Sequence, residues 1–175
     1  MMMEGNKSAS NNRSIRCLAA ICGAAVLILL DQFTKYLVLE NLKDNPPFVI
    51  LKNIFQLEYL ENRGAAFGLF QNQRIFFYLS VIIINIAVIW FYGRVPMTGR
   101  YLPLRLCAVG IIAGAWGNCI DRIRLNYVVD FLYFKLIDFP IFNVADIYVT
   151  VSTFTMALLI CFYYKEEDFE GFFHR

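Results

Sequence analysis

The sequence is short of the residues on which many enzyme sites are built. It has one histidine in 175 residues, His174, which is second-last and has no metal-ligating neighbours, so a zinc or haem centre is not expected. Its five cysteines, Cys17, Cys22, Cys107, Cys119 and Cys161, form no C-x-x-C pair and lie in or beside apolar runs, so they read as small hydrophobes. Charge is also scarce: 17% of residues are charged, against roughly 25% in soluble proteins. The net charge of +2 is too small to suggest a nucleic-acid partner. No internal repeat or low-complexity tract is present. What the chain has in excess is apolar surface, with 59% hydrophobic residues and a mean hydropathy of +0.54. That excludes an ordinary soluble domain and a disordered one. A chain this small cannot bury so much apolar area in its own core, so the remainder must face lipid.

A spanning helix needs about 20 mostly apolar residues. Four stretches qualify, at about 15–39, 75–92, 106–121 and 142–164. Gly93, Pro96 and Gly99 break the chain between the second and third, Pro46-Pro47 marks a turn after the first, and Pro140 precedes the fourth. The first stretch has the charge layout of a signal peptide, but D-Q-F-T-K follows Leu30 with no small-x-small cleavage site, so a retained helix is expected. Between the first two spans, residues 40–73 differ in texture. Phe48–Leu51 and Ile54–Tyr59 are short β-prone runs, and Tyr127–Phe134 on a second loop is extended in character. The expected fold is an all-α membrane protein, one embedded domain over residues 1–175, with four transmembrane helices and a small β-like cradle. The last eleven residues read as a solvated tail. Lys and Arg are spread almost evenly between the two sides, and only the dense Arg94/Arg100/Arg105 loop favours one side as cytoplasmic.

The depth of the charges is more informative. If Arg16, Arg105 and Tyr164 mark one membrane face, Asp31, Asp121 and Asp146 lie roughly 22, 24 and 27 Å away along their helices. The hydrocarbon core is about 30 Å thick, so three carboxyl groups reach one level just inside the opposite face. Ionisable groups there are costly and usually functional.

Asp121 closes the third span in G-N-C-I-D-R, and Asp146 opens the fourth in F-N-V-A-D. Each follows an asparagine by three residues, Asn118 and Asn143, a spacing that puts an amide on the same helix face. Two carboxyl groups that approach closely share a proton. The ionised one can take a proton from water, and the protonated one can polarise a carbonyl and later protonate the leaving amine. That is aspartic protease chemistry, which needs no metal and no other cofactor. Asp31 and Lys35, four apart on one helix face, can pair. Asn62 and Gly64 could hydrogen-bond an extended peptide or simply form a turn. Asp130, in V-V-D-F, is expected to pair with a nearby arginine and support its loop.

Five motifs occur in order: D-Q-x-x-K (Asp31–Lys35), N-R-G-A-A-F (Asn62–Phe67), G-A-W-G-N-C-I-D-R (Gly114–Arg122), Y-V-V-D-F (Tyr127–Phe131) and F-N-V-A-D (Phe142–Asp146). Together they closely resemble the bacterial lipoprotein signal peptidases, the signal peptidase II family. The resemblance implies a four-helix membrane aspartyl endopeptidase of the bacterial cell (inner) membrane. It implies cytoplasmic termini, a periplasmic cradle and a site near the periplasmic face. The implied substrate is a prolipoprotein carrying a diacylglyceryl group on a cysteine, cleaved just before that cysteine, with membrane lipid around a monomeric enzyme. Asp121 and Asp146 match the catalytic pair, and Asp31, Lys35, Asn62, Gly64, Asn118, Arg122, Asn143 and Ala145 match motif positions around the site. Ala113, Asn126 and Ile147 depart from the common pattern without removing a catalytic group. The competing readings are a proton-coupled transporter, which the lack of repeat symmetry disfavours, and a non-catalytic assembly factor.

Overall fold

The computed structural model describes residues 2–64 and 74–173. His174 and the A-A-F part of the second motif lie outside them. The described elements are α1 (Met2–Asn41), β1 (Phe48–Leu51), β2 (Phe55–Asn62), α2 (Arg74–Arg94), α3 (Leu102–Leu125), β3 (Val128–Tyr133), α4 (Val144–Leu158) and α5 (Glu166–Phe173). A 3₁₀ turn, Gly99–Tyr101, leads into α3, another, Lys135–Ile137, follows β3, and a π-helical turn, Leu159–Tyr163, extends α4.

Among the described residues four helices are long and apolar enough to cross a membrane, over Arg13–Asn41, Phe77–Arg94, Gly99–Leu125 and Val144–Tyr163. The third is longer at both ends than the expected 106–121. Pro103 is tolerated in its first turn, where no intrahelical N–H bond is lost. Arg105 does not stop it, because the guanidinium donates to the Pro96 and Thr98 carbonyls and satisfies the incoming loop. At the far end Asn126 adopts φ 70°, a left-handed C-cap for which asparagine is a common substitute for glycine.

α3 is the hub of the bundle. Of its most apolar window 56% is buried inside the protein, against 6% for each of the other three. It packs on α1, α2 and α4, and its small residues permit close approach. A Cβ on Gly114 would collide with the Ala145 carbonyl and lie 2.6 Å from Val149 Cγ2, and one on Gly117 would lie 2.6 Å from Asp31 Oδ2. The outward faces of α1, α2 and α4 carry large exposed apolar side chains, the surface that lipid covers.

The cradle is a three-stranded antiparallel sheet in the order β1-β2-β3, so its third strand comes from the loop after α3 and not from residues 40–73. β2 and β3 pair Asn62 with Val128 and Leu60 with Asp130. Strand alternation sorts the Y-V-V-D-F motif. Val129 and Phe131 pack with Val38 and Leu42 at the end of α1, and Val128 and Asp130 turn toward a cavity. At the opposite end of the bundle, Arg13 donates to the Gly93 carbonyl and Tyr92 to the Arg16 carbonyl, so the start of α1 lies beside the end of α2. Residues 165–173 also fold back there. The expected solvated tail forms α5, because Asp168 accepts two bonds from Arg100 at 2.9 and 2.7 Å and one from Tyr101.

Candidate active site

The cavity, about 860 Å³, opens between the sheet and the ends of α2, α3 and α4. Its polar wall includes Asn62, Asn118, Arg122, Asp130 and Asp146, and its apolar wall runs down α4 through Ile147 and Val151.

Asp146 is placed by the start of α4. Asn143 is the N-cap: its side-chain oxygen accepts from the Asp146 N–H at 3.0 Å, and Asp146 Oδ2 accepts from the Asn143 N–H at 3.1 Å. This reciprocal capping box satisfies two helix-end donors and fixes the carboxylate. The N-x-x-D spacing here is a helix start. The other N-x-x-D unit works differently. Asn118 does not serve Asp121. It reaches across to α4, where its Nδ2 donates to Asp146 Oδ1 at 2.8 Å.

Asp130 enters from β3. Asn62 Nδ2 donates to its Oδ2 at 2.8 Å, and Asn143 Nδ2 donates to its Oδ1 at 2.6 Å. The sequence led us to expect an arginine partner, but among the described residues no arginine forms an ion pair with it, and these two amides occupy the carboxyl group. Asn62 is itself fixed by accepting from the Gly64 N–H at 2.9 Å, an Asx-type turn. Burial, with the charge of Asp146 beside it, pushes the Asp130 pKa up to about 7, against the pull of the Asn62 and Asn143 amides.

Asp121 lies behind the cavity and lines no part of it. Its Oδ2 meets Lys35 Nζ at 2.9 Å and accepts from the Val129 N–H at 3.1 Å, and its Oδ1 accepts from Gln32 at 2.9 Å. Asp31 is fully buried beside it, 2.9 Å from Lys35 Nζ, and accepts from the Ala145 N–H at 2.9 Å. One lysine thus bridges two buried carboxyl groups from two helices. Lys35 also donates to Asn118 Oδ1 at 2.9 Å, which turns the amide so that its NH₂ faces Asp146. Arg122 donates to the Gly64 carbonyl at 3.0 Å and stacks on Phe77 at 4.1 Å. Among the described residues every buried side-chain N or O atom has a partner.

All ten residues singled out in the sequence therefore meet at one end of the bundle, in two layers. Asn62, Gly64, Asn118, Arg122 and Asp146 line the cavity, whereas Asp31, Lys35, Asp121, Asn143 and Ala145 support it from behind. Asp130, expected from the sequence only to support its loop, also lines the cavity. The signal was present, since V-V-D-F puts a lone acid in an otherwise apolar strand.

A four-span bundle holding a cavity-lining aspartate pair at the end of its helices is a polytopic membrane protein with an aspartate-based site. Residues 23–162 match the family described as signal peptidase (SPase) II. The lipoprotein signal peptidase of Caldanaerobacter subterraneus is 41% identical over 144 residues, covering 82% of this chain and 96% of that protein. That of Streptococcus thermophilus is 40% identical over 154 residues, covering 88% and 97%. A solved bacterial membrane enzyme superposes with a TM-score of 0.71 at 30% identity, covering 82% of this chain and 93% of the other. The chain belongs to the signal peptidase II family of aspartic peptidases, bacterial multi-pass membrane enzymes that cleave signal peptides from prolipoproteins.

Proposed function

We propose that this chain hydrolyses the peptide bond before a diacylglyceryl-modified cysteine, with Asp130 and Asp146 as the acid–base pair. The carrying observation is that these two carboxyl groups line one cavity and are bridged by one residue, Asn143. The sequence alone favoured Asp121 in place of Asp130. Asp121 lines no part of the cavity and is ion-paired to Lys35 between α1 and α3, which supports a structural role.

In this reading Asp130 holds the shared proton and hydrogen-bonds the scissile carbonyl oxygen. Asp146 takes a proton from water as the water oxygen attacks the carbonyl carbon. The tetrahedral species then collapses: the C–N bond breaks, and the leaving nitrogen takes a proton from the pair. Asn62 and Asn118, each already fixed by a partner, hold the carboxylates in place at no further ordering cost. The apolar wall along Ile147 and Val151 suits a substrate whose acyl chains stay among lipids while its peptide crosses the polar end.

The first turns of the α1 span and helix α5 lie at the end of the bundle that carries Arg13, Arg16, Arg94, Arg100 and Arg105, which supports cytoplasmic termini and a periplasmic-side site.

The test is cleavage of a diacylglyceryl-modified precursor by the purified protein in detergent and lipid. Asp130→Asn and Asp146→Asn should each lower kcat by about 10²–10⁴-fold with folding retained. Full activity in Asp130→Asn overturns the pair. Equal cleavage of the unmodified precursor overturns the substrate assignment.

A further inference from the structure

β1, its turn into β2, and the 3₁₀ turn Lys135–Ile137 line no part of the cavity, and the proposed reaction does not use them. They are nonetheless strongly apolar. Successive residues of a strand face opposite sides, yet all four residues of β1 are about half exposed, from Ile50 at 48% to Phe48 at 61%. Both faces of this strand are therefore bare, and it is also the sheet's edge. Leu136 and Ile137 are 68% and 69% exposed. The two segments form one surface: the Leu136 N–H donates to the Ile54 carbonyl at 3.3 Å, and the rings of Phe55 and Phe134 lie 4.8 Å apart. An apolar edge strand left in water invites pairing and aggregation, and a contiguous bare patch marks an interface.

Three observations identify the occupant as lipid. The sheet sits at the boundary of the spans, since β3 begins three residues after α3 ends, a reach of at most about 10 Å. The lipid-facing side of α1, with Phe33, Tyr36 and Leu37 exposed, runs toward it. Lys52 and Lys135, both exposed, interrupt the patch, and among the described residues neither has an ion-pair partner. Nearby Asp138 is turned onto the Tyr133 hydroxyl. Cations set in an apolar surface match an anionic headgroup layer above acyl chains, whereas a second copy docked face to face would oppose like charges.

We propose that this hairpin and turn form a wedge seated in the headgroup–acyl boundary of the leaflet on the sheet side, with Lys52 and Lys135 against lipid phosphates. The wedge fixes the height of the cavity relative to the bilayer surface. This inference does not depend on which aspartates react.

The experiment uses the full chain in phosphatidylcholine/phosphatidylglycerol vesicles. Ile50→Trp and Leu136→Trp are made separately, both at exposed positions, and their added emission over the parent protein is followed. Lipids brominated high on the acyl chain should quench that emission about twofold, as for a group at the acyl boundary, and aqueous iodide should leave it nearly unchanged. Lys52→Glu with Lys135→Glu should weaken the bromolipid quenching only in vesicles that contain phosphatidylglycerol. Quenching by iodide in place of bromolipid overturns the proposal. So does emission shielded from both quenchers, which identifies a protein partner. The fluorescence reads seating whether or not the enzyme turns over.

Discussion

Asn143 ties Asp130 to Asp146: its side-chain amide donates to Asp130 Oδ1 at 2.6 Å, and its backbone N–H donates to Asp146 Oδ2 at 3.1 Å. The same side chain also caps α4 and donates to Asn118. Cap and bridge can be separated by substitution. Asn143→Ser keeps an N-cap oxygen but is too short to reach Asp130. Its stability should fall by only about 1–3 kcal/mol, from the buried amide bonds to Asp130 and Asn118, since serine caps as well as asparagine, while kcat falls by about 10²-fold from loss of positioning. An unchanged kcat in Asn143→Ser would show that the bridge contributes nothing beyond the cap.

Asp130 makes stability depend on pH. Its folded-state pKa of about 7 lies above the roughly 3.9 of an unfolded chain. As pH rises between those values the unfolded chain gives up this proton first, so the native state binds more protons and unfolding becomes easier. The Asp130 contribution to the unfolding free energy should fall from about pH 4 to about 7 and level off above. Asp130→Asn should remove that slope, as read from thermal midpoints in detergent. Activity should decline above about pH 7 as the proton is lost. Parallel midpoint curves for parent and variant would refute the assignment.

Lys35 is the only cation within 4.0 Å of Asp31 and Asp121 among the described residues. Lys35→Met strands two buried carboxylates and should cost about 3–5 kcal/mol, seen as poor yield and a low midpoint. Adding Asp31→Asn and Asp121→Asn should restore part of the midpoint. No recovery in the triple variant would mean that the lysine acts by packing and not by charge.

Gly114 sets the distance between α3 and α4. Gly114→Ala drives a methyl group into the Ala145 carbonyl and Val149, and should destabilise by about 1–3 kcal/mol while loosening the Asn118–Asp146 contact one turn away. Gly99→Ala, with open space around its Cβ, is the matched control. Indistinguishable midpoints for the two variants would refute the close-approach argument.

Chelation gives a further check. The proposed chemistry runs on carboxyl groups and water, so EDTA should leave turnover unchanged. Inhibition reversed by an added divalent cation would point to a metal-assisted route.

The four spans were legible because hydropathy and length are local properties, and the strands because β-prone runs stood beside turn residues. Depth along a helix is likewise set by residue counts within one span, and Asp31, Asp121 and Asp146 do belong to one connected network. That Asp130, and not Asp121, shares the cavity with Asp146 was not legible, because two identical N-x-x-D spacings carry different structures. Asn143 stands outside a helix start and caps it, whereas Asn118 lies inside α3, where its side chain serves the neighbouring helix. Which acid faces the cavity depends on the antiparallel register that sets Asp130 beside Asn62, a relation between residues 68 positions apart. The folded tail was missed for a similar reason: its charges read as solvated until Arg100 was placed beside Asp168.

The bond from the Ala145 N–H to Asp31 has a biosynthetic consequence. The last span to leave the ribosome has one of its first-turn donors satisfied by a side chain on the first. Asp146 sits one residue further on, and Asn118 reaches it only across the seam between α3 and α4. A chain with only the first three described spans in place therefore lacks Asp146 and its cap, so under the proposed function the pair is incomplete until the fourth described span docks against the first.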